Sequence, residues 1–368
     1  MASKAALLRL ISVLSGTLSA VSFINTTSSS SNQNKSFTDL PEEMIEEICT
    51  PLPDDDIYAL RLTCRRLKEN TLHFFKSKFF NIRKHMLTRK SLQDLIDLAH
   101  NSDYSRQVKT LILLLPRLLS HVGSGDYWSM DTDISFSQRS AYNRHLEDQN
   151  GMGRSGTDIE MLAEALASLP NLQDVRFAFV EGRYVSDTRF PGRKECRSWI
   201  ALRKQIGCLI DYLQSQEPIQ YRFLEDDIPL YPQLLLGAID SCRNPVNLHS
   251  ISIVSFYSYG ESSSFILRVF PTITTRISTA VATVRTLRLK LCIDQSRPGV
   301  MPSAQSGLDT PLQGILCSLP QLEALSLVFH ETHENFITTM YSILTYLAKL
   351  KSLELDYVTF FRTFQDAT

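Results

Sequence analysis

Residues 151–156 read Gly-Met-Gly-Arg-Ser-Gly, the spacing of a dinucleotide-binding turn, and they lie just ahead of a helical pattern. In such a turn the glycines let backbone N–H groups approach a pyrophosphate, and a strand must lead directly into the first of them. The preceding residues, NRHLEDQN, are polar and carry no strand alternation, so the glycines read as loop residues. His330 and His333 stand close together, yet no cysteine or second histidine cluster completes a zinc set. Glu225, Asp226 and Asp227 have no evident partner for acid–base work and read as a solvated loop. No nucleophile elbow, HExxH pair or P-loop occurs. The sequence therefore assigns no catalytic residue, no metal site and no cofactor, and an enzymatic reading has no residues to stand on.

Bulk properties narrow the class further. A chain of 368 residues with 43% hydrophobic content has room for a small module plus a larger domain or repeat array. Its net charge of −1 gives no general drive toward nucleic acid or an anionic membrane. Seven cysteines, an odd number without CxxC pairs, read as reduced thiols rather than a disulfide framework.

The densest cluster of helical signals lies at 37–67, FTDLPEEMIEEICTPLPDDDIYALRLTCRRL. Asp39 can cap a helix, Pro41 suits its first turn, and Glu42 and Glu43 favour its positive end. Met44, Ile45, Ile48 and Leu52 recur at helical spacing. Pro51 and Pro53 stop that helix, and Asp54, Asp55 and Asp56 open a second one carrying Ile57, Leu60 and Cys64. A third segment, 65–75, is basic at its start and apolar at Leu67, Leu72, Phe74 and Phe75. Arg61, Arg65, Arg66 and Lys68 read as a solvated face, with partner contacts as the alternative. A unit of roughly 40 residues seldom stabilises itself without disulfides, metal or a partner. Its surplus apolar surface is therefore expected to pack on a second protein or on the rest of the chain.

The run Leu40-Pro41-x-Glu43-Met44-Ile45, Ile48, Leu52-Pro53, Asp56-Ile57, Leu60-Arg61-x-Thr63-Cys64-Arg65-Arg66-Leu67 resembles an F-box, of the fungal type. It departs from that pattern at Leu67, where the family often has Trp or Phe, and in the two prolines around Leu52. The resemblance implies docking on the Skp-type adaptor of a Skp–cullin–F-box ubiquitin ligase, and through it contact with cullin. The residues expected to carry that contact are Leu40, Pro41, Ile45, Ile48, Leu52, Ile57, Leu60 and Leu67. Sequence alone does not separate those that face the adaptor from those that hold the helices together.

Beyond residue 80 a phrase recurs with apolar residues at positions 1, 4 and 6. It runs Val108-Leu111-Leu113, Leu172-Val175-Phe177, Leu248-Ile251-Ile253, Val284-Leu287-Leu289, Leu322-Leu325-Leu327 and Leu350-Leu353-Leu355. Each phrase has strand alternation, and several follow a helical stretch ending in a turn, as in ALASLPNL and CSLPQL. Helices are expected over 158–168, 199–215, 234–242, 312–319 and 335–349. Strand and helix in repetition resemble leucine-rich repeats, in which stacked units share one core. The last four phrases start at 248, 284, 322 and 350, steps longer and less regular than the ordinary unit of about 20 to 29 residues. Earlier starts at 108 and 172 are spaced so widely that they need hidden units or long insertions. The expected fold is α/β: a short three-helix F-box over 37–80, then an irregular leucine-rich-repeat-like solenoid with parallel strands over 81–368. A conventional parallel α/β sheet is the competing architecture.

Three segments fall outside this scheme. Residues 120–156, polar and glycine-bearing, are expected to be a loop insertion, and 294–305 a solvated turn. Residues 1–36 carry Lys4 and Arg9, an apolar stripe through Leu7, Leu10, Ile11, Leu14, Leu18 and Val21, and the spacer TSSSSNQN. They fit a disordered tail, a misassigned start, a secretory signal or a mitochondrial presequence. The end after Leu355 reads as truncated, or as capped by Phe360, Phe361 and Phe364. The resemblance implies a non-catalytic substrate-receptor subunit acting in the cytoplasm or nucleus, the repeats holding a protein target, with no nucleic acid and no membrane. An F-box scaffold outside degradation and an organellar or secreted repeat protein stay open as alternatives.

Overall fold

The computed structural model describes residues 40–115, 135–179, 197–206, 230–242, 246–255, 281–292, 316, 319–330 and 349–357. The expectations for 1–36, 294–305 and the residues after 357 lie outside the described residues, as do most of 312–319 and nearly all of 335–349. The chain divides into two compact units, Met1–Asn81 and Ile82–Thr368.

In the first unit, helices α1 (Glu42–Cys49) and α2 (Asp54–Thr63) both begin after a proline, Pro41 and Pro53, with acidic residues in the first turn. A missing N–H costs nothing there, and negative charge complements the helix dipole. The third segment is two helices, α3 (Arg65–Asn70) and α4 (Leu72–Phe80), where one was expected. The break falls at Thr71, whose hydroxyl donates to the Leu67 carbonyl at 2.6 Å. Cys64 also departs from expectation: it is exposed and extended, and its Sγ accepts from the Leu67 N–H at 3.5 Å as the N-cap of α3.

Among the described residues the second unit holds seven parallel strands paired in sequence order: β1 (Ile82–Met86), β2 (Thr110–Leu115), β3 (Asp174–Phe179), β4 (Ser250–Ser255), β5 (Thr286–Cys292), β6 (Ala324–His330) and β7 (Ser352–Tyr357). The mixture of helices and parallel strands is the expected one. Each of the six apolar phrases forms one of β2 to β7, and their fourth positions lie in one register: Leu111, Val175, Ile251, Leu287, Leu325 and Leu353. Backbone bonds extend this ladder ahead of the strands, from Gln173 N to Lys109 O (2.9 Å) through Lys351 N to Glu323 O (2.7 Å). The first position of each of the first five phrases is buried, and Val108, Leu172, Val284 and Leu322 each close a turn, as in Leu322 N to Leu319 O at 3.0 Å.

β2 pairs directly with β3 and β3 with β4, so no further strand separates either pair in the sheet despite the two long gaps. Helices occupy part of them. The loop expected over 120–156 is, from Phe136 to Ser155, a 20-residue helix, α7. It starts at a reciprocal cap between Ser135 and Gln138 and buries Ala141, Tyr142, Leu146, Gln149 and Met152, a helical stripe that its glycines obscured. Gly156 ends it with φ of +72°, the left-handed conformation glycine tolerates best, and α8 (Thr157–Ala167) follows at once. The GxGxxG spacing is therefore the last turn and cap of a helix rather than a phosphate turn. Further along are α9 (Arg197–Ile206) and α10 (Leu230–Ser241).

With α5 (Arg89–His100), which follows β1 and precedes the single turn α6 (Ser102–Ser105), helices α8 and α10 pack side by side. They share one core with the strands, including Leu92, Leu95, Leu162, Leu166, Leu235 and Ile239. A Cβ on Gly237 would meet the Ile159 side chain at 3.3 Å, the mark of a close approach between α10 and α8.

Candidate functional site

In the first unit, Ile45, Cys49, Leu52, Ile57, Leu60 and Leu67 are buried against one another, with Leu40, Phe74, Phe75 and Phe79 packed on their edge. Of the eight residues expected to carry the adaptor contact, five (Ile45, Leu52, Ile57, Leu60 and Leu67) thus lie inside the bundle. Pro41 is exposed, and Leu40 and Ile48 are half-buried. The apolar residue that sequence reasoning passed over is Leu62 of α2, 87% exposed. Its signal was present, for it lies off the stripe of Ile57 and Leu60.

Arg61, expected on a solvated face, is buried. Its Nη1 donates to the Lys68 carbonyl and to Thr71 Oγ1, both at 2.9 Å. The guanidinium carbon lies 4.0 Å from the Phe75 ring centre, close enough for a cation–π contribution. This one side chain joins α2, α3 and α4. Arg65, Arg66 and Lys68 are exposed as expected, with Arg65 Nε 2.9 Å from Glu69 Oε1. Lys78 of α4 reaches Asp54 at 3.1 Å. Burial pushes the Cys49 thiol up to about 11, so it packs as a neutral side chain.

Glu42, Glu46 and His73 place three potential ligand atoms within 4.8 Å of one another. All three residues sit at the surface, and His73 Nδ1 already engages Glu46 Oε1 at 2.9 Å. That hydrogen bond raises the His73 pKa. An ion pair between α4 and α1 accounts for the cluster without a metal.

The second unit aligns several polar side chains in one row, interrupted by Ile112 on β2. Strand register aligns Lys84, Ile112, Arg176, Ser252, Arg288, Ser326 and Glu354, alternating with the core row. Arg176, Arg288 and Glu354, each standing between two apolar positions of its phrase, are thereby brought onto one face. Arg176 pairs with Asp174 on its own strand, and Arg288 Nη2 lies 4.0 Å from Glu354 Oε2. At the β1 end, His85 is buried with its Nδ1 donating to the Ser91 carbonyl at 2.9 Å. Burial, reinforced by the Arg83 charge, pushes its pKa down to about 4. Among the described residues no helix is long and apolar enough to cross a membrane.

Comparison with family models finds one match, to the F-box domain over residues 37–71. Comparison with curated proteins finds none. The matched segment spans α1, α2, α3 and Thr71. F-box domains bind Skp-type adaptors and thereby cullin. The helices, their shared core and the family match together show that this chain carries an F-box domain at residues 37–71.

Proposed function

We propose that this chain is the substrate-receptor subunit of a Skp–cullin–F-box ubiquitin ligase, and that it performs no bond chemistry itself. The observation that carries this reading is the two-sided character of the F-box unit. Its interior residues Ile45, Leu52, Ile57, Leu60 and Leu67 hold the helices. Leu62, Pro41, Leu40 and Ile48 then offer apolar surface outside that core. Leu62 lies outside the core that holds the helices together, and a few such anchors can carry most of an interface. On this view all eight sequence-derived residues serve adaptor binding, three by contact and five by support.

The second unit is read as an irregular leucine-rich-like solenoid, one strand per unit, that holds a protein target on the row running through Arg176, Arg288 and Glu354. Such a receptor works by effective concentration, since a tethered target meets the transfer machinery intramolecularly.

The test is co-purification of the Skp-type adaptor and cullin with the tagged full chain. Wild type should bring down both, and the Leu40→Ala/Pro41→Ala double variant should lose both while its circular dichroism stays unchanged. Adaptor without cullin would instead indicate a scaffold outside degradation. Undiminished adaptor recovery by the double variant would remove those two residues from the contact.

A further inference from the structure

We infer that the polar strand row binds an extended segment of the target carrying an acidic residue, with a basic residue about four positions away. This rests on the proposed target-binding role of that face and names the chemistry it selects. Ser252 is 4% exposed, and its Oγ has no hydrogen-bond partner among the described residues. The register sets it between Arg176 of β3 and Arg288 of β5. A buried hydroxyl left unpaired is costly, so a ligand group that reaches Oγ and hydrogen-bonds to it relieves that cost.

The two arginines flank it at one strand spacing each, so their Cα atoms lie about 10 Å apart. A small side chain between two long cationic ones forms a notch for a carboxylate, which two guanidiniums and a hydroxyl can share. Neither arginine is locked away from such a ligand. Arg176 holds Asp174 by Nε and Nη2, and Arg288 meets Glu354 only at 4.0 Å. Asp174 Oδ1, also buried, likewise has no hydrogen-bond partner among the described residues.

The row changes sign along its length. Lys84, Arg176 and Arg288 lie on β1, β3 and β5, and Glu354 on β7, with Ser326 forming a second notch between Arg288 and Glu354. From Ser252 to Glu354 is three strand spacings, roughly 14 Å, or about four residues of extended chain. An acidic side chain seated over Ser252 therefore places a basic one, about four residues on, beside Glu354. The target segment crosses the strands, and its charge order fixes its direction.

The experiment is selection of a displayed random twelve-residue peptide library on the immobilised full chain, followed by fluorescence polarisation of the enriched peptides. Wild type should enrich peptides with Asp or Glu about four positions from Lys or Arg. Arg288→Gln should weaken their binding about tenfold, the scale of one charge-assisted hydrogen bond. Ser252→Ala should weaken binding while leaving the unfolding midpoint equal or higher, because it removes an unsatisfied hydroxyl; a purely structural serine would lower the midpoint and spare binding. If Arg176→Gln unfolds by stranding Asp174, Arg288→Gln and Ser252→Ala still decide the matter. No enrichment, enrichment without acidic residues, or undiminished binding by Arg288→Gln overturns the inference. Adaptor recovery by the same variants is unaffected by that outcome, so failure here is distinguishable from failure of the receptor assignment.

Discussion

Single residues in this chain do work that their type alone does not announce. Arg61 sits in a run of basic residues that reads as solvated surface, yet it ties three helices through Lys68, Thr71 and Phe75. Only its place one step past Leu60 on the buried side of α2 separates it from Arg65, and a charge run hides that step. Arg61→Ala should cost about 2–4 kcal/mol by leaving buried acceptors unpaired, seen as faster amide exchange across 57–75; exchange rates equal to wild type would refute this role. His85 gives a second test. Its Nδ1–H is fixed by the Ser91 carbonyl, and its Nε2 has no hydrogen-bond partner among the described residues. With a folded pKa of about 4 against 6.5 in the unfolded chain, the unfolded state binds more protons between those values. Stability contributed by the neutral ring is therefore present above pH 6.5 and is lost as pH falls toward 4. The loss should reach about 3 kcal/mol relative to His85→Leu, measured as the difference between the two proteins' unfolding free energies across that range. Parallel pH curves for the two proteins would contradict it.

At the scale of elements, the same glycines supported two opposite readings. Gly151, Gly153 and Gly156 look like punctuation in a sequence, and a glycine-bearing polar stretch reads as a loop. The stripe from Ala141 to Met152, by contrast, shows only when Gln149 is allowed as a buried position. Helix α7 is thus held by packing and caps rather than by propensity. Two substitutions separate these roles. Gly156→Ala, at φ of +72°, should destabilise the second unit by about 1 kcal/mol. Gly151→Ala lies within the helix, where a Cβ meets nothing within 4 Å, and should stabilise by roughly 0.5–1 kcal/mol. Chemical denaturation of the two variants reads both signs, and equal effects would argue against α7 ending at Gly156. Elements with strong punctuation were legible: α1 and α2 start at the expected prolines and acidic turns, and α8 falls within one residue of its expected bounds.

For the whole molecule, the phrase with apolar residues at positions 1, 4 and 6 was enough to place six strands, because a shared core demands the same side chains in each unit. The seventh, β1, escaped because Arg83 and His85 stand in the register where β2 has Leu111 and Leu113. Strand order was not legible in the wide gaps, since hidden units and helical insertions leave the same spacing. If the sheet behaves as stacked units, Leu287→Ala in β5 should cost about 2–5 kcal/mol and speed amide exchange in β4 and β6 together with β5. Exchange confined to β5 would mean the strands are not energetically joined. In the F-box unit, burial divides what sequence left together, five residues inside and a small apolar surface outside that includes Leu62. The most direct measurement is the affinity of the purified full chain for a purified Skp-type adaptor, comparing wild type with Leu62→Asp. Tight binding by wild type, reduced at least tenfold in a variant whose helical content and unfolding midpoint are unchanged, is the predicted result. Equal affinity of the two proteins, or no binding by either, would contradict an adaptor surface built on the outside of this bundle.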